Sequence, residues 1–454
     1  MIEKRYLKWY NKVGYGSGDI AGNVVYAFLS TFMMFYLTDT VGMNMGIVGT
    51  LMAVSKLFDG FTDLFFGTLI DKTRTRMGKA RPWMIFGYIG VAIMLAAIFM
   101  VPESWGESAQ YAYFFITYTL LNSVFYTANN IAYASLTALV TKNSSERVQL
   151  GSFRFMFAFA TSMIIQAVTI SAVDVLGGGA EGWKWIAIIY AGIGLVTNTI
   201  SGLSVKELSA EELDNAEEKQ TQIEEKYTLV EGAKLLFSNK YYVMICATYL
   251  LTQLCQSTLN MGVYFMKYVL GDAELLGRFS LAINIPLILG LIVTPMLVKK
   301  MHGMYKLNVV GYVISVIGRF GVMVSAYFGN IPLMLLFTGV GALGTSPLQG
   351  DLNALIACCS EHTYLTTGKR IDGTMYSCSS FGIKVGGSIG TALSGWMLAA
   401  AGFVENAAVQ TSSTVGMLHF LYLWAPVIIN LAVVLVLSRL KVEKANEKIL
   451  AERT

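Results

Sequence analysis

The chain has 454 residues, of which 55% are hydrophobic and only 14% are charged. A soluble domain carries about 25% charged residues, so this balance excludes an ordinary soluble globular protein and points to a chain that crosses a membrane many times. The net charge of +4 decides little alone, and no nucleic-acid partner is expected. The start, "MIEKRYLKWYNK", is polar and basic for too long to be a cleavable signal peptide, and no small-residue cleavage site follows a short apolar core.

Apolar segments long enough to span roughly 30 Å of hydrocarbon follow at about 13–38, 46–70, 83–101, 110–140, 151–174, 183–203, 241–270, 275–298, 306–328, 331–358, 374–402 and 416–438. They predict an all-α membrane protein with twelve transmembrane helices in two six-helix bundles. Several exceed the length of one span, so tilt or extension beyond the bilayer is expected. Between the sixth and seventh segments runs "KELSAEELDNAEEKQTQIEEKY" (206–227), the one long charged stretch. It reads as a solvated linker with some amphipathic helix. The predicted domains are an N-terminal bundle (1–203), a cytoplasmic central loop (204–240) and a C-terminal bundle with a short tail (241–454). The five cysteines have no metal-ligand or redox spacing and read as small packing residues.

Basic residues alternate along the loops. Lys4, Arg5, Lys8 and Lys12 precede the first segment, and Lys72, Arg74, Arg76, Lys79 and Arg81 follow the second. Lys142 and Arg147, then Lys299, Lys300 and Lys306, then Lys369 and Arg370 continue the pattern, and the tail adds Lys441, Lys444, Lys448 and Arg453. The alternate loops are nearly free of base. The positive-inside rule therefore places both termini and the central loop in the cytoplasm of a cell (inner) membrane protein.

An ionisable residue at a helix centre costs about 2.5–3.5 kcal/mol on insertion scales, so it needs a partner or a role. Here such residues are Asp19, Lys56, Asp59, Asp63, Arg319, Asp351 and Lys384. Lys56, Asp59, Asp63 and Gly67 recur at spacings of three, four and four, which puts them on one helical face. Two carboxylates about 6 Å apart repel unless a cation lies between them. That cation is a proton or a metal ion held by oxygens. The alternative is a buried salt bridge between Lys56 and Asp59 that fixes packing, but it leaves Asp63 unaccounted for.

The first segment carries Asp19, Asn23, Tyr26 and Ser30 at helical spacing beside a glycine stripe of Gly14, Gly18 and Gly22. The fourth places Asn122, Tyr126, Asn129, Tyr133 and Thr137 on one face, with Ser123, Thr127 and Asn130 next to it. Amides, phenols and hydroxyls suit either a wet cavity that binds a polyhydroxyl ligand or hydrogen bonds that glue helices together. Lys384 lies mid-helix among Gly382, Gly386 and Gly390, either structural or facing a cavity.

The stretch "DGFTDLFFGTLIDKTRTRMGKARPW" (59–83) resembles the signature of the glycoside–pentoside–hexuronide:cation symporters, the melibiose-permease-like family of the major facilitator superfamily. The matching residues are Asp59, Asp63, Asp71, Thr73, Arg76, Gly78, Lys79, Arg81 and Pro82, with Leu64 where the family usually has Pro. "YGSGD" with Asn23, "NIAYASLTALVTKNSSERVQLGSFR" and "YSCSSFGIKVGGSIG" extend the resemblance over most of the chain. It implies that Asp59 and Asp63 are cation ligands and that Thr127 supplies a further hydroxyl. Thr62 stands where melibiose-type members have Asn, which leaves Na+ and H+ both open; if the ion is Na+, Asp59 and Asp63 are its metal ligands. Asn23 and Asn130 fall where those members have aspartates that bind sugar, and Ala134 falls where they have a stacking Trp. Arg154 and Lys384 match basic residues near the sugar and ion sites. The stretch "ACCSEHTYLTTGKR" lacks most of the acidic and aromatic residues usual before the eleventh helix, but retains Glu361.

Together these readings predict a secondary active transporter importing a sugar or glycoside with a cation by alternating access. The substrate residues expected are Asp19, Asn23, Tyr26, Tyr126, Asn130, Arg154 and Lys384. Lys56, Asp71, Arg76, Lys79 and Arg81 are assigned to gating. The expected partners are a small sugar and the lipid bilayer; the chain is expected to act as a monomer without a cofactor. If Asp19 does not restore the charge lost at Asn23 and Asn130, an acidic sugar such as a hexuronide becomes a plausible substrate beside the neutral glycosides and pentosides; if it pairs with Arg154 or Lys384, the pocket is neutral. A passive facilitator of the same fold and a transporter-like sensor are the alternatives. No nucleophile–base set or metal cluster suggests an enzyme.

Overall fold

The computed structural model describes residues 5–102, 104–141, 143–208, 236–301, 303–368, 372–405 and 407–453. Most of the central charged stretch, with Lys369 and Arg370, lies outside these residues. So do the side chains of Asp71 and Lys384.

Among the described residues, twelve helical runs stand at the positions of the twelve apolar segments, and a short tail helix follows them. The first unit holds α1 (Trp9–Gly16) running into α2 (Gly18–Phe35), then α3 (Met45–Lys72) and α4 (Arg81–Ile98). The fourth run is α5 (Glu107–Thr119) joined to α6 (Thr127–Leu139), followed by α7 (Ser144–Val175) and α8 (Gly179–Ser204). The second holds α9 (Lys240–Leu259) with α10 (Gly262–Tyr268), α11 (Leu275–Met301), α12 (Met304–Tyr327), α13 (Ile331–Thr367) and α14 (Asp372–Ala400). Its sixth run joins α15 (Ser412–His419) to α16 (Ala425–Leu437), and the tail forms α17 (Val442–Arg453). By compactness, residues 271–277 and 395–411 group with the first unit.

Eight runs are long and apolar enough by length and composition alone to cross a membrane. At the start of α3, Met45–Lys56 is a shorter apolar stretch. Three runs contain a π-helical segment, at Tyr36–Thr40, Leu120–Tyr126 and Phe420–Trp424. A π segment inserts a residue into the α ladder and re-aims the side chains around it.

In the first unit, the ring of Phe28 stacks on Phe99 at 4.3 Å between centroids, and Trp183 packs beside both. Amides bind the helices at the other end. Asn129 and Asn198 both donate to the Met84 carbonyl, at 2.7 and 2.8 Å. Asn129 is therefore interhelical glue, whereas Asn130, the next residue, is exposed. In the second unit, α12 and α13 approach so closely that a Cβ on Gly318 would meet the Gly341 nitrogen at 2.4 Å. Pro347 inside α13 cannot donate to the Leu343 carbonyl, and the Ser346 hydroxyl does so instead, at 2.8 Å.

Glutamates tie the helix ends. The Glu207 carboxylate accepts the N–H groups of Lys79, Ala80 and Arg81 at 2.7, 2.9 and 2.9 Å, which caps the N-terminus of α4. Gly78 turns the chain into that cap with φ of +112°, and a Cβ there would collide with Glu207. Glu443 accepts the N–H groups of Met304 and Tyr305 at 3.0 and 2.9 Å, just after Gly303 with φ of +134°. Glu146, near the start of α7, accepts from Tyr6 and Leu7 N–H and from Thr141 Oγ1, and its carboxylate lies 3.3 Å from Lys12 Nζ.

Burial works to raise the pKa of Glu146, but the Thr141 hydroxyl, the two backbone N–H groups and Lys12 outweigh it and hold the carboxyl below the usual glutamate value of 4.5. A carboxyl depressed in the folded state contributes stability that is full above its unfolded pKa and is lost as pH falls through the folded one. The wild type is therefore expected to melt above Glu146→Gln at pH 7. The gap should close as pH falls below about 4.5, which thermal melts of the purified proteins across pH 7 to 4 will measure.

Candidate functional site

The residues expected to bind a cation, Thr127 apart, lie on α3. Its N-terminus is fixed by the Asn44 side chain, which accepts from Gly46 and Ile47 N–H at 3.1 and 3.3 Å. From there the helix carries Ser55, Lys56, Asp59, Thr62 and Asp63 inward, with both carboxylates half-buried. The π segment Leu120–Tyr126 faces them. Its Ser123 hydroxyl donates to Asp59 Oδ1 at 2.5 Å and lies 3.3 Å from the Ser55 carbonyl oxygen. One turn away, Thr119 Oγ1 donates to Ser55 Oγ at 3.0 Å.

Thr127, expected as a further hydroxyl ligand, is buried and donates to the Asn122 carbonyl at 3.0 Å. That bond reaches back five residues across the π segment. Thr62 likewise bonds its own helix, at the Phe58 and Asp59 carbonyls, both at 3.2 Å. Ser123 is thus the hydroxyl that the fold brings to Asp59. In the sequence it lies beside the polar face of its helix, and only the π segment turns it to α3.

A second cluster surrounds Asp19. Arg154 Nε lies 2.7 Å from Asp19 Oδ2, and the Tyr133 hydroxyl donates to the same oxygen at 2.8 Å. The Arg154 guanidinium also lies over the Tyr133 ring, 4.2 Å from its centroid. Tyr15 holds the assembly from below, donating to the Tyr133 carbonyl at 2.7 Å. Asp19 therefore pairs with Arg154, and the positive charge expected in the pocket from Arg154 is matched. Asn23 Nδ2 donates to the Asp19 carbonyl at 2.9 Å, and its Oδ1 accepts from Ser162 at 3.3 Å. Tyr126 donates to the Gly22 carbonyl at 3.3 Å. Tyr26 is 57% exposed, and Asn130 and Ala134 are exposed as well. Ser162 on α7 is a polar contact that the sequence reading did not single out.

The basic loop after α3 is built into the first unit. Arg81 Nε donates to the Gly202 carbonyl at 2.8 Å, and Trp83 Nε1 donates to Thr73 Oγ1 at 2.8 Å. Arg76 is exposed. Among the described residues no three His, Cys, Asp or Glu side chains gather as a metal cluster. An ion at Asp59 and Asp63 would draw its remaining ligands from hydroxyl and carbonyl oxygens, the donor set suited to a hard monovalent cation.

A twelve-helix membrane chain with paired carboxylates on one helix and an exposed polar face has the design of a transporter. A family model described as MFS/sugar transport protein matches residues 14–444, and the chain belongs to that family, within the glycoside–pentoside–hexuronide:cation symporters. It is a multi-pass membrane transporter of the major facilitator superfamily and not an enzyme. The chain is 30% identical to an isoprimeverose transporter of Lactiplantibacillus pentosus, covering 100% of this chain and 92% of that protein. It is 28% identical to a putative glycoside/cation symporter of Escherichia coli (strain K12), covering 96% and 92%. A crystal structure of a D-xylose-proton symporter shares the fold with a TM-score of 0.63 at 14% identity, over 93% of this chain and 96% of that one.

Removing a hydroxyl that bonds an ion ligand weakens ion affinity about tenfold or more. Ser123→Ala is expected to raise the cation concentration for half-maximal uptake by roughly tenfold and to leave the folded yield unchanged. Uptake measured against a cation titration in vesicles checks this.

Proposed function

We propose that this chain is a symporter that imports a sugar or glycoside with Na+ or H+ by alternating access. The observation that carries this reading is the pair Asp59 and Asp63 on one face of a membrane helix, with the Ser123 hydroxyl on Asp59. A solute carrier that only equilibrates its substrate has no need of two membrane carboxylates at that spacing. The relatives named as an isoprimeverose transporter and a glycoside/cation symporter support the same class of substrate and a coupling ion.

In this reading Asp59, Asp63 and Ser123 hold the cation, with Thr62 and Thr127 shaping the helices around them. Asn23, Tyr26, Tyr126 and Asn130 contact the substrate, the Asp19–Arg154 pair orders that face, and Lys384 is assigned to the substrate as well. The match of Arg154 by Asp19 favours a neutral glycoside over an acidic sugar. The stretches 1–203 and 241–454 move as two bundles joined by the cytoplasmic loop 204–240. Lys56, Asp71, Arg76, Lys79 and Arg81 act at the inner gate. The protein works as a monomer in the cell membrane with both termini in the cytoplasm.

The decisive experiment is uptake of labelled sugars into vesicles under imposed sodium or proton gradients. Asp59→Asn or Asp63→Asn should abolish accumulation, by more than about tenfold, while exchange at equilibrium survives. Concentration of substrate to wild-type levels by both variants would remove the coupling assignment.

Topology has its own test. A cysteine replacing Ser108 should react with an impermeant thiol reagent from outside intact cells, and one replacing Glu447 should react only after the membrane is opened. The reverse pattern would overturn the inside-positive orientation.

A further inference from the structure

Asp19 meets Arg154, and Asp59 meets Ser123. The second unit holds a buried acid without such a counterpart. Asp351 on α13 is 8% exposed, and Asn308 on α12, which faces it, is 1% exposed. The Asn308 amide is close enough to act on the Asp351 carboxyl, but the contact does not reach hydrogen-bond geometry, and Asp351 Oδ2 and both polar atoms of the Asn308 amide lack a partner that does among the described residues. An unmet buried polar group costs about 1–3 kcal/mol, and more if charged; the Nδ2 donor has the Asp351 carboxylate beside it, whereas the two acceptor oxygens, Asp351 Oδ2 and Asn308 Oδ1, call for a positive ligand.

The charges around this position ask for a cation. Glu443 on α17 is close enough to repel Asp351, and it is held there by the N–H groups of Met304 and Tyr305. Asn308 lies one turn beyond Met304 on the same face of α12. Among the described residues no ion pair includes Asp351. Lys299, Lys300 and Lys306 on the neighbouring helices are exposed. Arg319 lies eleven residues along α12 from Asn308, about 16 Å at 1.5 Å per residue, too far to pair with Asp351. Along α13 the next titratable groups are Cys358 and Glu361, two and roughly three turns on. Two acceptor oxygens, one of them on a carboxylate, are thus set in a buried place with a second negative charge behind them.

We propose that Asp351 and Asn308 form a second position for a small monovalent cation, separate from Asp59 and Asp63. Either a proton or a sodium ion supplies the missing charge. A proton on Asp351 needs only the Asn308 carbonyl oxygen as acceptor, whereas sodium needs further oxygens from backbone or water. The position belongs to the second half of the chain, so one transport cycle has an ion site in each half. The inference stands on this geometry and does not depend on the coupling role of Asp59 and Asp63.

The test uses the full chain carrying Asp59→Asn and Asp63→Asn, which silences the first site. In the sodium arm, the melting temperature should still rise when sodium replaces choline at constant ionic strength. In the proton arm, infrared absorption at pH 7 without sodium should still show a protonated carboxyl. Adding Asp351→Asn should remove whichever signal is present, and Asn308→Leu should weaken sodium binding roughly tenfold or shift the carboxyl band. If Asp351→Asn does not fold, Asp351→Glu replaces it and should move the same signal. Absence of both signals in the double variant, or persistence of the signal unchanged through the Asp351 and Asn308 substitutions, overturns the proposal.

Discussion

A charge placed in hydrocarbon must be met by an opposite charge or by hydrogen bonds, and much of the first unit is arranged around that demand. Hydration that water would supply has to come from other helices. Asp19 on α2 is met by Arg154 from α7 and Tyr133 from α6. Asp59 on α3 is met by Ser123 from the π segment before α6. Each acid therefore fixes the approach of particular helices, and the polar contacts that set the packing also build the proposed site. A partner removed from such a pair leaves a buried group unsolvated, which is costlier than the pair is stabilising.

The helix ends are governed by a related constraint, because the first N–H groups of a helix have no partner within it. Both units solve it alike. Glu207, just after the sixth run of the first unit, caps the start of the third, α4. Glu443, just after the sixth run of the second, caps the start of its third, α12. In each case a glycine with positive φ, Gly78 or Gly303, lets the chain turn under the carboxylate. The surrounding sequences, "RMGKARPW" and "MHGMYKLN", share little else. The recurrence is one of geometry: the same carboxylate-to-helix clamp fastens the third run of each half to the chain that leaves the sixth.

The helices were legible in the sequence because spanning a bilayer demands long apolar runs, and all twelve stand where those runs lie. Asp59 and Asp63 were legible because charge in such a run is rare. The partners were not. Ser123 lies 64 residues from Asp59, and its direction depends on a π segment that no periodicity of 3.6 anticipates. The fourth apolar segment put Asn129 on its polar face and Asn130 next to it without telling glue from cavity; one residue around the helix is 100°, and Asn129 binds Met84 while Asn130 is exposed. The caps by Glu207 and Glu443 were hidden for the same reason, since each joins residues more than a hundred positions apart.

The Asp19–Arg154 pair bears on selectivity. Where melibiose-type members of the family carry aspartates, this chain has Asn23 and Asn130, and the change alone would leave an excess of positive charge near Arg154. Asp19, one turn before Asn23, takes that charge up at 2.7 Å. Asn23 in turn is held by the Asp19 carbonyl and by Ser162, so the amide is oriented instead of free to rotate. A face with its charges paired internally and its amides fixed offers hydrogen bonds of set direction and little net field. Such a face discriminates among neutral sugars by the placement of their hydroxyls, because a hydroxyl that finds no partner leaves a desolvated donor or acceptor on both sides of the contact. Arg154, already paired with Asp19, offers a carboxylate little compensation for its desolvation. Under the proposed assignment of this face to the substrate, stereochemistry of a neutral glycoside, more than charge, is what it would read.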